Sequence, residues 1–292
     1  MSQGIVSIDG VLVDSADARV SVFDRGFLYG DSVFEVFRTY GGVPFAEREH
    51  LERLARSAER LMIPLPVSLE TLSAEVHAAL DAAGEGPWYV RVVITRGTGP
   101  LNYDPSTAVE PLRVVIVAPL SVPPREHYER GIGVVLLSAS RPTDDARAAG
   151  AKASNYLANL LAVHEAKQRG AHEALVVGRG GQVLEGASSN IFIVRGGKVR
   201  TPEAQPGILV GITRATVLEA ASAAGIEVEE GEILPADFDS ADEAFITSSI
   251  REVMPVVRVD GATIGTGTPG PVTKRLHEGY LRLVGESSRA GV

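Results

Sequence analysis

The sequence predicts an α/β protein with mixed sheets, divided into two domains. Three observations carry this expectation. Short apolar runs are joined by glycine turns and followed by amphipathic helices. Strand and helix do not alternate regularly, which disfavours a dinucleotide fold, and a proline pair, Pro123-Pro124, interrupts a chain of 292 residues. That length makes one large domain or two of ordinary size, and the proline pair favours two. The expected division is a small N-terminal α/β domain at 1–120, a connector at 121–130 and a larger C-terminal α/β domain at 131–292.

In order along the chain, residues 5–8 and 11–13 flank Asp9-Gly10, and residues 33–40 and 43–45 flank Gly41-Gly42. Both read as hairpins, because these turn residues tolerate the positive φ that tight turns need. Leu51, Leu54, Ala55, Ala58, Leu61 and Met62 recur at helical spacing, with Pro64 as the stop. A second helix starts from Ser68 as N-cap and runs to Gly84. Strands follow at 88–95 and 112–118. Beyond the connector come a strand at 132–138 and a helix expected to begin near Lys152 and to end near Arg169. Further strands are expected at 174–177, 182–184 and 191–194, then a helix at 212–224 stopped by Gly225. Pro206-Gly207 and the residues after it lead into that helix. Strands at 243–247 and 253–259 precede a last helix at 272–284.

Composition narrows the function. Asp and Glu number 37 against 28 Lys and Arg, and no basic run is interleaved with aromatics, so neither nucleic acid nor an anionic membrane is an expected partner. Cysteine is absent, which removes disulfides and thiolate metal sites, and the six histidines lack ligand spacing. Residues 1–6 carry no secretory pattern and no segment has the apolar length of a membrane span, so a cytoplasmic protein is expected.

Of the chain's four lysines, Lys167, Lys198 and Lys274 stand in charged or turn surroundings, whereas Lys152 sits in Gly150-Ala151-Lys152-Ala153-Ser154-Asn155-Tyr156 among small and apolar residues. Desolvation favours the neutral amine, the form that condenses with an aldehyde to make an imine. The plainer reading is a lysine that snorkels or pairs with a carboxylate. Gly211 ahead of Ile212-Thr213-Arg214 would let an anion approach the free N–H groups of a helix start. Most helix starts bind nothing. Glu185, at the Gly-rich bend 185–190, is either a solvated turn residue or an acceptor for a protonated ring nitrogen. Residues 265–270 spell the dinucleotide fingerprint but lack its strand–turn–helix context, and read as a loop. Arg53, Tyr156 and Thr247-Ser248-Ser249 are ordinary when taken singly.

Together these residues resemble the class IV aminotransferases, the pyridoxal-phosphate enzymes of fold type IV. The resemblance runs from Asp24-Arg25-Gly26-Phe27-Leu28-Tyr29-Gly30-Asp31 to Gly270-Pro271-Val272-Thr273-Lys274-Arg275, nearly the whole chain, with motifs in the family's order. It implies a two-domain, D-amino-acid-aminotransferase-like fold and pyridoxal 5′-phosphate as cofactor, carried by Lys152 as a Schiff base. It further implies Glu185 on the pyridinium nitrogen and Tyr156 on the ring's phenolate oxygen, sharing a face with Lys152 if that stretch is helical. Arg53, the Ile212 and Thr213 amides with the Thr213 hydroxyl, Ser248 and Ser249 would take the phosphate, and Leu209 would pack on the ring.

For the substrate, Tyr29, Phe34, Arg38, Tyr89 and Arg91 match pocket positions of branched-chain aminotransferases, with Tyr103 and Ile250 beside them. Arg91 would serve the side-chain carboxylate of glutamate. Val36 departs from that branch's usual glycine, and Phe34-Glu35-Val36-Phe37 and Thr95-Arg96-Gly97-Thr98-Gly99-Pro100 resemble the D-amino-acid branch. Leu101 and Tyr103 replace that branch's carboxylate-binding arginine and histidine, and Val36 replaces the lyase's threonine. The resemblance thus implies a transaminase for branched-chain L-amino acids and a 2-oxo acid such as 2-oxoglutarate. A D-amino-acid or (R)-amine transaminase comes second, and aminodeoxychorismate lyase third. Family members are dimers, so residues 99–105 are expected to act across an interface.

Overall fold

The computed structural model describes residues 4–138, 150–204 and 207–290; Met1 to Gln3 and Pro206, named above, lie outside them. The chain forms two compact units. The first comprises the residues up to Ser121, Ala151–Asn155 and the chain end from Ser287, and the second comprises Val122–Gly150 and Tyr156–Glu286.

In the first unit the elements are β1 (Ile5–Ile8), β2 (Val11–Asp14), α1 (Arg25–Tyr29), β3 (Ser32–Tyr40), β4 (Val43–Pro44), α2 (Glu47–Arg60), α3 (Leu69–Ala83), β5 (Trp88–Thr95) and β6 (Arg113–Pro119). Both expected hairpins form. Asp9 and Gly10 take φ of 50° and 84°, and Gly41 and Gly42 take 57° and 88°, the pairs of positive φ that two-residue turns require. Ser68 caps α3 by accepting from the Thr71 N–H at 3.3 Å. The strands form an antiparallel sheet in the order β2-β1-β6-β5-β3-β4. Alternation along β3 sorts its side chains. Val33 and Phe37 join Leu51, Leu54, Leu72, Val90, Val92 and Val115 in the core. Phe34, Val36 and Arg38 share the opposite face with Tyr89 and Arg91, because Val36 pairs with Arg91 and Arg38 with Tyr89.

One expectation fails here. Lys152 does not begin a helix; α5 spans Leu157–Gln168, with Tyr156 at its N-cap. Residues 152–154 lie extended along the start of β3, where Phe34 N–H donates to Lys152 C=O at 3.0 Å, Ser154 N–H donates to Ser32 C=O at 2.9 Å, and Val33 bridges Ala153. Backbone groups bonded to a strand cannot also close helical i→i−4 bonds. The helical face that Lys152 and Tyr156 were to share therefore does not exist.

The second unit adds α4 (Arg125–Arg130), β7 (Ile132–Ser138), α5, β8 (Glu173–Val177), β9 (Val183–Gly186), β10 (Asn190–Arg195), β11 (Lys198–Thr201), α6 (Ile212–Ala223), β12 (Val228–Glu230), β13 (Glu243–Ser248), β14 (Glu252–Val259), β15 (Ala262–Thr263) and α7 (Pro271–Ala290). Its sheet runs β12-β11-β10-β13-β14-β7-β8-β9, with β15 on β14. The pairs β11·β12, β14·β7 and β7·β8 are parallel and the others antiparallel, a mixed sheet as expected. Its core includes Ile132, Leu175, Ile191, Ile193, Ile246, Met254 and Val256. Glu185 differs from its expected bend position: it lies within β9, opposite Val176, and the turn follows it, closed by Gly186 N–H on Ser189 C=O at 2.7 Å.

Candidate active site

Each unit assembles a distinct set of the expected residues. In the first, Lys152 is half-buried, whereas Lys167, Lys198 and Lys274 are exposed. Its backbone N–H donates to Ser57 Oγ at 3.1 Å, and its Nζ stands 4.6 Å from the Phe34 ring centroid. The Arg91 guanidinium lies over the same ring, Cζ 3.9 Å from the centroid. Phe34 thus has the Lys152 amine and the Arg91 guanidinium about its ring. Arg38 instead covers Tyr40 at 4.3 Å. Tyr29 closes α1, its ring 5.7 Å from that of Tyr103, which is 88% exposed. Arg25 stands over Tyr29 at 5.0 Å, donates to Asn102 C=O at 3.1 Å and pairs with Asp31 at 3.0 Å, fastening the 97–109 loop to α1.

Arg53 is buried on α2. Its Nε donates to Glu35 Oε1 at 2.6 Å and its Nη2 to Glu35 Oε2 at 2.7 Å, and His50 Nδ1 lies 2.7 Å from the same Oε2. Burial pushes the Glu35 carboxyl upward, but the Arg53 charge and the hydrogen bonds from Arg53 and His50 outweigh it and hold the group at about 2. Burial moves His50 the other way, below its usual value, despite its carboxylate partner. A neutral ring beside an ionised carboxylate donates from Nδ1. Sequence reasoning missed Glu35 and His50; the available signal was one acidic residue in the otherwise apolar run Val33 to Phe37.

This cluster sets an acid limit. Glu35 is depressed from 4.5 to about 2 in the fold, so its stabilisation is complete above pH 4.5 and disappears as pH falls toward 2. At about 1.4 kcal/mol per unit, on the order of 3 kcal/mol is at stake. His50 acts in the same sense from 6.5 downward, because the unfolded chain takes up the proton that the fold refuses. Urea midpoints measured from pH 7 to pH 3 should fall steeply, and Glu35→Gln should flatten the limb below 4.5. A limb unchanged by that substitution would reject the assignment.

In the second unit Glu185 is buried, and its Oε2 accepts the Leu209 N–H at 3.1 Å. Asn190 Nδ2 donates to Leu209 C=O at 2.8 Å, so the peptides on both sides of Leu209 are fastened ahead of α6. Gly211 is the N-cap of α6 and offers no side-chain hydrogen bond, leaving the first-turn N–H groups of Ile212 and Thr213 without a side-chain cap. A Cβ at Gly211 would fall 2.0 Å from Asn190 Oδ1, so only glycine allows this approach. Thr213 is buried; Ser248 ends β13, with Ser249 and Ile250 in the turn after it. Arg251 binds Ser248 Oγ at 3.2 Å and Glu173 at 2.6 Å, while Glu173 also accepts from Ser188 at 3.0 Å. That buried carboxylate ties the turn after β9 to the turn after β13, a further link missed from sequence. Tyr156 is half-buried.

Residues 32–259 match the family described as Amino-transferase class IV. The chain belongs to the class IV aminotransferases. A provisionally named branched-chain-amino-acid aminotransferase from Methanocaldococcus jannaschii is 40% identical, over 94% of this chain and 94% of its own. A D-alanine aminotransferase from Bacillus licheniformis is 33% identical, over 93% and 94%. Among solved structures, a T.th. branched-chain amino acid aminotransferase with pyridoxamine 5′-phosphate superposes with a TM-score of 0.92 at 32% identity, covering 97% of this chain and 95% of that one. This aminotransferase accordingly has the fold type IV architecture and depends on pyridoxal 5′-phosphate. Each unit by itself carries residues that suit that group: a half-buried lysine in the first, and in the second a buried carboxylate and a helix start without a side-chain cap. Among the described residues no group of three or more His, Cys, Asp or Glu could hold a metal, and no helix is long and apolar enough to cross a membrane.

Proposed function

We propose that this aminotransferase moves an amino group between a branched-chain L-amino acid and a 2-oxo acid such as 2-oxoglutarate. The observation that carries the reading is the Phe34 ring with Lys152 and Arg91 about it. An apolar ring beside the reactive amine suits an aliphatic side chain, and a guanidinium on that ring suits the second carboxylate of glutamate or 2-oxoglutarate. The higher identity to the branched-chain relative, 40% against 33% for the D-alanine enzyme, supports the same choice.

Bound pyridoxal phosphate supplies an aldehyde that takes up the amino group and a protonated ring into which negative charge spreads. The chain's residues do the rest. Lys152 Nζ would anchor the cofactor and, as a free amine, would take the proton from the substrate Cα and deliver it to the aldehyde-derived carbon on the other side of the transferred nitrogen. Glu185 accepts the ring N–H and keeps that nitrogen protonated. Tyr156 meets the phenolate oxygen, and Leu209 packs on the ring. The Ile212 and Thr213 amides, the Thr213 hydroxyl, Arg53, Ser248 and Ser249 take the phosphate. Tyr29, Phe34, Arg38, Tyr89, Arg91, Tyr103 and Ile250 line the substrate side. The enzyme works as a cytoplasmic homodimer in which residues 99–105 reach the partner's pocket; Leu101 and Tyr103, 68% and 88% exposed, support this.

A D-amino-acid or (R)-amine transaminase is the second reading, favoured by residues 34–37 and 95–100 and by the D-alanine aminotransferase relatives. Aminodeoxychorismate lyase is the third. Half-reactions with L-leucine, L-valine, L-glutamate, D-alanine and an (R)-amine, followed by loss of the cofactor's visible absorption, separate them. L-leucine and L-glutamate should react; a response to D-alanine or the amine alone would replace the reading, as would pyruvate release from aminodeoxychorismate without an acceptor. Arg91→Gln should slow the L-glutamate half-reaction by about 10- to 100-fold, the weight of a charged hydrogen bond, while L-leucine reacts as before. Equal slowing of both would count against Arg91 as the carboxylate partner.

A further inference from the structure

β3 carries a charge where its alternation calls for an apolar side chain. Glu35 faces α2 between Val33 and Phe37 and is 0% exposed. Both its oxygens are occupied: Arg53 binds them through Nε and Nη2 at 2.6 and 2.7 Å, and His50 adds a third contact at 2.7 Å. His50 and Arg53, three residues apart, lie on one face of α2. A buried carboxylate and guanidinium cost desolvation that apolar residues of the same volume would avoid, so the pH-dependent stabilisation from ionised Glu35 does not by itself explain why charges stand here. A two-point pairing does fix the plane of the guanidinium and decides which edge of its donor fork turns toward Glu35 and which turns away. One turn further along α2, Ser57 holds the Lys152 backbone. A single helix face therefore carries both the arginine assigned to the phosphate and the support of the lysine assigned to the aldehyde.

We propose that Glu35, backed by His50, is a positioning residue that holds the Arg53 guanidinium in one orientation, so that the cofactor's phosphate is gripped in register with the Lys152 amine. The inference rests on the reading in which Lys152 carries the cofactor and Arg53 meets its phosphate. Glu35 itself touches neither cofactor nor substrate. Its effect is therefore specific to ligands that bear a phosphate, which a merely structural role would not be.

The test compares two aldehydes for one lysine: pyridoxal phosphate, and pyridoxal, which has the same ring and aldehyde but no phosphate. The full-length wild type, Glu35→Gln and Glu35→Asp proteins are stripped of cofactor and titrated with each, read by the visible absorption that attachment produces. Glu35→Gln should bind pyridoxal phosphate about 10- to 100-fold more weakly, as expected when a charged hydrogen-bond pairing is lost, while pyridoxal affinity stays at the wild-type value. Glu35→Asp, which keeps the charge on a shorter arm, should give an intermediate ratio of the two affinities. Equal losses for both aldehydes, or a loss for neither, overturns the inference. Should Glu35→Gln fail to fold, the aspartate variant decides alone: a lowered ratio supports the inference and an unchanged ratio rejects it. Wild type that takes up neither aldehyde would defeat the reading of Lys152 beneath it, whereas wild-type uptake with an unchanged ratio in the variants defeats this inference only.

Discussion

Lys152→Ala is expected to yield a folded protein with no visible cofactor absorption and with half-reactions slowed by about 10³-fold or more. The fold should survive because what places this residue is backbone: its N–H on Ser57, its C=O under Phe34 N–H, and the Ala153–Val33 bridge, none of which needs the side chain. The loss should be severe because one amine is asked to do two tasks, carrying the aldehyde and moving the Cα proton, and proton transfer alone is worth about 10²–10⁴. The other three lysines are exposed, and Lys198 is engaged with Glu227 at 2.8 Å, so none offers a substitute. Absorbance spectra and stopped-flow traces with L-leucine would check this. A variant that keeps both band and turnover would transfer the role to another residue.

Glu185→Gln should behave differently: cofactor attached, band present but altered, and the amino-acid half-reaction slowed by about 10²–10³, the usual weight of a fixed charge aimed at a developing one. The amide has nearly the carboxylate's shape and can still accept the Leu209 N–H seen at 3.1 Å, so the segment ahead of α6 should stay in place. What disappears is the full negative charge that keeps a ring nitrogen protonated. Rates equal to wild type would mean that Glu185 serves the peptide of Leu209 and nothing else. The contrast between the two variants separates attachment from electron withdrawal.

Elements whose causes are local were legible in the sequence. Asp9-Gly10 and Gly41-Gly42 dictate turns through their own dihedrals, and Ser68 and Gly84 bound α3 as expected. Elements settled by distant partners were not. The Lys152 segment has the composition of a helix start, yet its backbone bonds go to β3, more than a hundred residues earlier. β11 and β12 pair in parallel across α6, with Val199 opposite Val228, a match that no local pattern announces. Lys152 stands out by its apolar setting, whereas Arg53 and Glu185 are ordinary taken singly and are singled out only by the family resemblance. His50 and Glu173 look like ordinary surface residues until a helix face and the sheet register turn them inward, and Glu35 is marked only by the apolar run around it.

The completion of β3 by residues 152–154 also bears on how the chain comes together. A fragment ending at Ser121 would contain six strands and both covering helices but would leave the backbone of Ser32 and Phe34 without its partners. Bare strand margins recruit foreign strands, so on a ribosome the first unit stays prone to sticking until residue 154 has emerged. The same late arrival that seals this margin delivers the lysine, so the reactive amine takes its place only as the sheet beside it is finished.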